Sequence, residues 1–160
     1  MHTVAAPALN LRFSVHVTVS GPLDLGATAR GHRRVIPITG GTFTYHAPSG
    51  ELVAGTVLPI GADFQNLLSE ELTHLQASYV LEDRDEQRIL VENSGIRHGD
   101  VQTIAAINRG DAVAPDSVYF TTTPVLSSSD ARYAWVTNRV FVAKAIREPD
   151  SVSLFFFEVE

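Results

Sequence analysis

Residues 9–20 read Leu-Asn-Leu-Arg-Phe-Ser-Val-His-Val-Thr-Val-Ser. Leu9, Leu11, Phe13, Val15, Val17 and Val19 alternate with Asn10, Arg12, Ser14, His16, Thr18 and Ser20. A strict period of two is the signature of a β-strand with one apolar and one polar face. Gly21-Pro22 ends the run. In a barrel the inward face need not be the more apolar one, so the pattern alone does not decide which way Arg12 and His16 point.

The rest of the chain continues in the same style. A loop is expected through Gly31, then a strand over Arg33–Ile38, with Pro37 marking an edge, a bulge or a sheet corner. Gly40-Gly41 breaks or bends this run, and Thr42–Tyr45 resumes it. Ala47-Pro48-Ser49-Gly50 is a turn by composition. Leu52–Pro59 reads as a strand ended by Gly61, and Phe64–Leu68 has no decisive pattern. Leu72–Leu81 and Arg88–Glu92 pair across the charged run Glu82–Gln87, with Asn93-Ser94-Gly95 closing the hairpin. Val101–Asn108 is a short helix followed by the turn Arg109-Gly110-Asp111. Val118–Val125 is a Thr-rich strand, Ser127–Asp130 a turn or cap, and Trp135–Ile146 and Val152–Val159 are closing strands.

Short, closely spaced strands with at most one or two short helices predict an all-β chain. The expected architecture is a single antiparallel β-barrel domain over residues 1–160, with about eight to ten strands. Closure removes the exposed edges that long strands would otherwise present. A barrel of this size can hold one small ligand.

Composition bounds the function. The formal net charge is −6 and there is no Lys/Arg tract, so nucleic acid is not an expected partner. There are no cysteines, which excludes thiolate catalysis, disulfides and Cys-ligated metals. The N-terminal MHTVAAPALNL lacks a cationic and apolar leader, and no stretch approaches a membrane span, so a cytoplasmic protein without membrane contact is expected. The six histidines form no H-x-H or H-x-x-x-H pair, so no metal site is expected. No P-loop, dinucleotide fingerprint or nucleophile elbow appears, so no cofactor is expected.

Five motifs occur in order along the chain. Residues 31–43 follow the pattern G-x-R-x-x-x-P-I-x-G-G-x-F, and Leu58-Pro59-Ile60-Gly61-Ala62-Asp63-Phe64-Gln65 is close to L-P-G-G-A-D-W-Q. Asn93–Arg97 fits N-x-G-x-R, Tyr119–Pro124 is close to Y-F-R-T-x-P, and Arg132–Trp135 fits R-Y-x-W followed by an Asn. The ordered set resembles the domain-of-unknown-function family three-two-three-seven. The resemblance implies a small antiparallel barrel, lipocalin-like or allene-oxide-cyclase-like in shape. It also implies tailoring chemistry in secondary metabolism for some members. This chain departs from the pattern: Ile60 replaces a glycine, Phe64 a tryptophan, and Thr121 an arginine, which weakens the case for an anion clamp there. Gln76 and Ser78 stand where an acidic residue and an arginine are common, and the Asn after the Trp falls one place late, at Asn138.

Asp63, at the end of an apolar strand, is the first candidate for proton transfer, because a desolvated carboxyl is tuned toward general acid–base work. Its ordinary alternative is capping the next turn. Arg97 offers a planar fork for a developing anion, and Tyr119 a hydroxyl donor. Arg33, Gln65, Tyr133, Trp135 and Asn138 are candidates for substrate binding. The expectation is a cofactor-independent enzyme performing isomerisation, cyclisation, dehydration or hydrolysis on a small, partly hydrophobic or aromatic metabolite. The alternatives are a non-catalytic binding barrel, or an oligomer-forming protein whose Leu154–Phe157 run is the contact face.

Overall fold

The computed structural model describes residues 1–160. Nine strands occur in the chain: β1 Leu9–Val19, β2 Leu23–Thr28, β3 Gly31–His46, β4 Leu52–Leu67, β5 Leu72–Asp83, β6 Arg88–His98, β7 Tyr119–Ser127, β8 Phe141–Glu148 and β9 Ser151–Val159. One helix, α1, spans Val101–Asn108 between β6 and β7. Every pairing is antiparallel. The sheet runs β1-β9-β8-β7-β6-β5-β4-β3, and β3 returns to β1, which closes an eight-stranded barrel. β2 is the extra strand, hydrogen-bonded to the first half of β3.

The long third strand makes closure work. Its first half pairs with β2 and its second half with β1 (Tyr45 opposite Phe13, Ile38 opposite Val19). Around Gly40-Gly41 the register slips by one residue against both β1 and β4, which is a β-bulge. With a period of two, one extra residue reverses which side chains face inward. Arg34, Ile36 and Ile38 are buried before it, and Phe43 and Tyr45 after it. Gly41 is required here: its φ is +137°, and a Cβ would lie 2.0 Å from the His16 carbonyl oxygen.

Several elements differ from the sequence reading. Leu23–Thr28 is a strand, although almost wholly exposed and interrupted by the left-handed Gly26, so it shows no alternation. Gly61 does not end β4; the strand bulges and continues through Leu67. Asn93-Ser94-Gly95 lies inside β6, which continues to His98. The stretch 134–138, expected to begin a strand, is a turn of 3₁₀ helix, and β8 begins at Phe141. Along β1 the apolar row faces inward, His16 is exposed, and Arg12 ion-pairs with Glu158 at 2.7 Å.

The interior has two ends. One is a plug of aromatic rings. Phe13 stacks on Tyr45 at 5.1 Å between centroids, Tyr45 meets Tyr133 edge-on at 5.4 Å, and Phe141, Phe156 and Trp135 complete the cluster. Beneath it the buried Asp83 carboxylate accepts from the Tyr133 hydroxyl at 2.9 Å, from the Arg132 guanidinium, and from the backbone N–H groups of Asp85 and Gln87. The other end changes character along each strand: on β6 the inward row runs Ile89, Val91, Asn93, Arg97. The Phe-rich terminus is part of this wall, with Leu154 and Phe156 inward and Phe155 and Phe157 half-buried. No helix is long and apolar enough to cross a membrane.

Candidate functional site

The polar end encloses a narrow cavity of about 60 Å³ that opens at the mouth. Val17, Ile38, Leu75, Phe120, Val152 and Leu154 supply apolar wall. Asp63, Gln65, Tyr79, Asn93, Arg97, Thr122 and Arg147 supply the polar atoms.

Strand geometry puts them there. Asp63 and Gln65 lie two apart on β4 and so share a face. Gln65 Nε2 donates to Asp63 Oδ2 at 2.8 Å, and the Gln76 backbone N–H donates to Asp63 Oδ1 at 3.1 Å. Directly across the β3–β4 ladder, Arg34 Nη2 donates to Gln65 Oε1 at 3.2 Å, and Arg34 Nη1 donates to the Asn108 carbonyl oxygen at the end of α1 at 3.3 Å. A continuous hydrogen-bonded chain therefore joins the helix to the carboxylate. Burial pushes the Asp63 carboxyl above its usual range, opposed by the Gln65 hydrogen bond, the Arg97 charge and the Gln76 amide.

Arg97 is 1% exposed and lies over the Phe120 ring at 5.5 Å, a cation–π contact. Burial brings it down to about 10, so it remains a cation at neutral pH. Its Nε and Nη2 have no hydrogen-bond partner in the protein, and neither do Tyr79 OH, Asn93 Oδ1, Thr122 Oγ1 and Arg147 Nη1. Buried polar atoms are nearly always satisfied, by protein, water or ligand, and here six of them share one cavity. Burial raises the Tyr79 phenol well above its ordinary value, so it is a donor at any physiological pH.

Of the residues singled out from sequence, Asp63, Gln65 and Arg97 converge on the cavity. The others lie elsewhere. Arg33 and Tyr119 line a groove on the outer surface of β4–β7, and Tyr119 is 56% exposed. Tyr133 is fully buried in the aromatic plug, Trp135 packs beside it, and Asn138 is exposed. The sequence reading did not name Arg34, Tyr79, Asn93, Thr122 or Arg147. For Arg34 and Arg33 the missing information is strand parity, which one residue inverts.

Comparison with known proteins gives a consistent picture. The family model for "Protein of unknown function (DUF3237)" matches residues 7–159. A UPF0311 protein of Bradyrhizobium diazoefficiens is 37% identical over 147 residues, covering 92% of this chain and 93% of the relative. The crystal structure of a conserved protein of unknown function from Rhodopseudomonas palustris is 32% identical, with a TM-score of 0.90, covering 98% of this chain and all of that one. At 17% identity an enzyme from Penicillium herquei still superposes with a TM-score of 0.69, covering 100% of this chain and 99% of that one, a likeness of fold alone.

Proposed function

The chain belongs to the DUF3237 family, and from that premise we propose that its barrel lumen is the site of cofactor-independent acid–base catalysis on a small, partly hydrophobic metabolite. The observation that carries this is the pairing of Asp63, a carboxyl raised by burial, with Arg97, whose Nε and Nη2 are unpartnered, in one apolar-walled cavity. A carboxyl tuned upward suits proton transfer near neutral pH, and a desolvated guanidinium suits a developing oxyanion.

The step is a proton relay. The Asp63 carboxylate accepts a proton from the carbon next to a substrate carbonyl. The electron pair moves onto the carbonyl oxygen, which accepts hydrogen bonds from Arg97, with Tyr79 as a further donor. Asp63 then returns the proton at a second atom. The sum is an isomerisation with no change of redox state. Gln65 holds the carboxylate in position through its 2.8 Å bond and is a positioning residue.

The lumen also supports a second reading, a binding barrel that carries its ligand unchanged. Both Asp63 oxygens already accept hydrogen bonds, as in a carboxylate that only organises the wall. One experiment separates the two. Wild type and Asp63→Asn are incubated with the small-molecule extract of the cells the protein comes from, and the bound and free fractions are compared by mass spectrometry. Catalysis predicts a metabolite converted by wild type and merely held by Asp63→Asn. A ligand returned intact by both proteins establishes the binding barrel, and conversion by Asp63→Asn at the wild-type rate refutes the role of Asp63.

A further inference from the structure

The charge balance of the lumen is lopsided. Arg97 and Arg147 line it against one carboxylate, Asp63, and in the cleft beside it Arg34 and Arg109 join Arg147 against Asp150. Arg12, Arg88, Arg109, Arg132 and Arg139 each ion-pair with an Asp or Glu, and the other unpaired arginines, Arg30, Arg33 and Arg84, are exposed or half-exposed and not buried. Arg34, Arg97 and Arg147 have no carboxylate within ion-pair distance. Asp24 and Asp63 act on Arg34, Asp63 on Arg97 and Asp150 on Arg147 only through space. Four guanidinium nitrogens there are buried and unpartnered: Arg34 Nε, Arg97 Nε and Nη2, and Arg147 Nη1.

Like charges held together out of water are costly unless an anion joins them. The position of Arg147 indicates where that anion sits. It lines both the lumen and a second cleft outside it, formed by Arg34, the end of α1 at Asn108–Gly110, and the β1–β2 and β8–β9 turns. Val19 and Ile36 also line both spaces, so the cleft is the mouth of the cavity. The positive charge thus rings the neck, and the apolar wall lies deeper.

We propose that the ligand of this lumen is an organic carboxylate, its apolar body against Phe120, Leu154 and Val17 and its carboxylate at the neck between Arg147 and Arg34, which leaves the Arg97 donors for the reacting carbonyl oxygen. The unpartnered Arg34 Nε and Arg147 Nη1 supply charge-assisted donors to two carboxylate oxygens. Inorganic phosphate has no apolar body to cover the apolar wall. The proposal rests on the lumen being the ligand site, and it adds the charge of the ligand.

The test is calorimetry with 2-naphthoate, its neutral isostere 2-naphthamide, and inorganic phosphate. Wild type is expected to bind one 2-naphthoate, at least about tenfold more tightly than 2-naphthamide, with phosphate unable to displace it. Arg147→Met is expected to weaken 2-naphthoate by about tenfold and leave 2-naphthamide unchanged, and Arg147→Lys to recover part of the loss. Circular dichroism confirms that each variant is folded. Equal affinity for acid and amide, full affinity in Arg147→Met, displacement by phosphate, or no binding of 2-naphthoate to wild type overturns the proposal. Failure of the catalytic reading looks different: acid-selective binding that needs Arg147, together with undiminished turnover by Asp63→Asn, leaves the carboxylate site standing and removes the chemistry.

Discussion

Gln65 donates to Asp63 at 2.8 Å from two residues further along the same strand. Because a strand alternates, the two side chains enter the barrel together, and the amide both fixes the carboxylate and favours its ionised form. The same amide accepts from Arg34, so it cannot rotate to present its oxygen to Asp63 without losing that bond.

Replacing Gln65 with Met keeps the volume and removes the donor. Asp63 then loses one of the interactions that oppose burial, and its carboxyl rises further. A ¹³C titration of the Asp63 carboxyl is expected to show its midpoint displaced to higher pH. Turnover at neutral pH should fall on the order of tenfold to a hundredfold, through kcat more than KM.

Asp63→Asn should stabilise the fold while removing activity. Burial raises the Asp63 carboxyl in the folded state. The native protein therefore holds that proton more tightly than the unfolded chain does. Stability from this group is fully present at low pH and is lost as pH rises from the ordinary carboxylate range through the folded value. Asn removes the loss. Denaturant melts should show little difference at pH 3.5 and a gain on the order of 1 kcal/mol at pH 7.5, while turnover falls by about 10²–10⁴.

Asp83 carries the opposite sign. Burial pushes it up, but hydrogen bonds from Tyr133, Gln87, Arg132 and Asp85 together hold it below the usual range. Its contribution is present above the ordinary carboxylate range and is lost as pH falls through the folded value. Asp83→Ala leaves the Tyr133 hydroxyl and the Arg132 guanidinium without their shared acceptor, and a loss of about 3 kcal/mol in chemical denaturation is expected. Ligand binding per folded molecule should not change, since Asp83 lies at the other end of the barrel.

Gly41→Ala tests the bulge. A Cβ 2.0 Å from the His16 carbonyl oxygen forces β1 and β3 apart, on a backbone whose φ of +137° a side chain rarely adopts. A cost of at least about 2 kcal/mol is expected, read as a lower denaturation midpoint. Hydrogen exchange should quicken first at Val17 and Thr42, which flank the site of the clash.

The all-β class and the barrel were legible because β1 alternates strictly over residues 9–20 and the later apolar runs are short and punctuated by turn residues, and α1 falls on the predicted residues 101–108. Asp63, Gln65 and Arg97 were named from motif and residue type, and the inward rows carry all three to the cavity. What could not be read was parity across bulges. Gly40-Gly41 looked like an interruption, and nothing local says that it inverts the strand, so Arg33 was named where Arg34 faces in. Tyr79 sits in an apolar run where a phenol reads as core, and Arg147 lies near a charged turn where an arginine reads as solvated. Tyr119 and Tyr133 were chosen by residue type, and only the three-dimensional arrangement sends one outside and the other into the plug.

The aromatic plug has a consequence for how such a protein can diversify. Tight ring packing and the Asp83 network anchor the barrel at the end remote from the mouth. The neck can therefore carry three crowded cations, a cost that a uniformly built barrel would have to absorb at the site itself. Exchange of rim side chains alters what is admitted while the ballast below stays untouched. The chemistry of the rim can thus be rewritten by a handful of substitutions, without relearning how to fold.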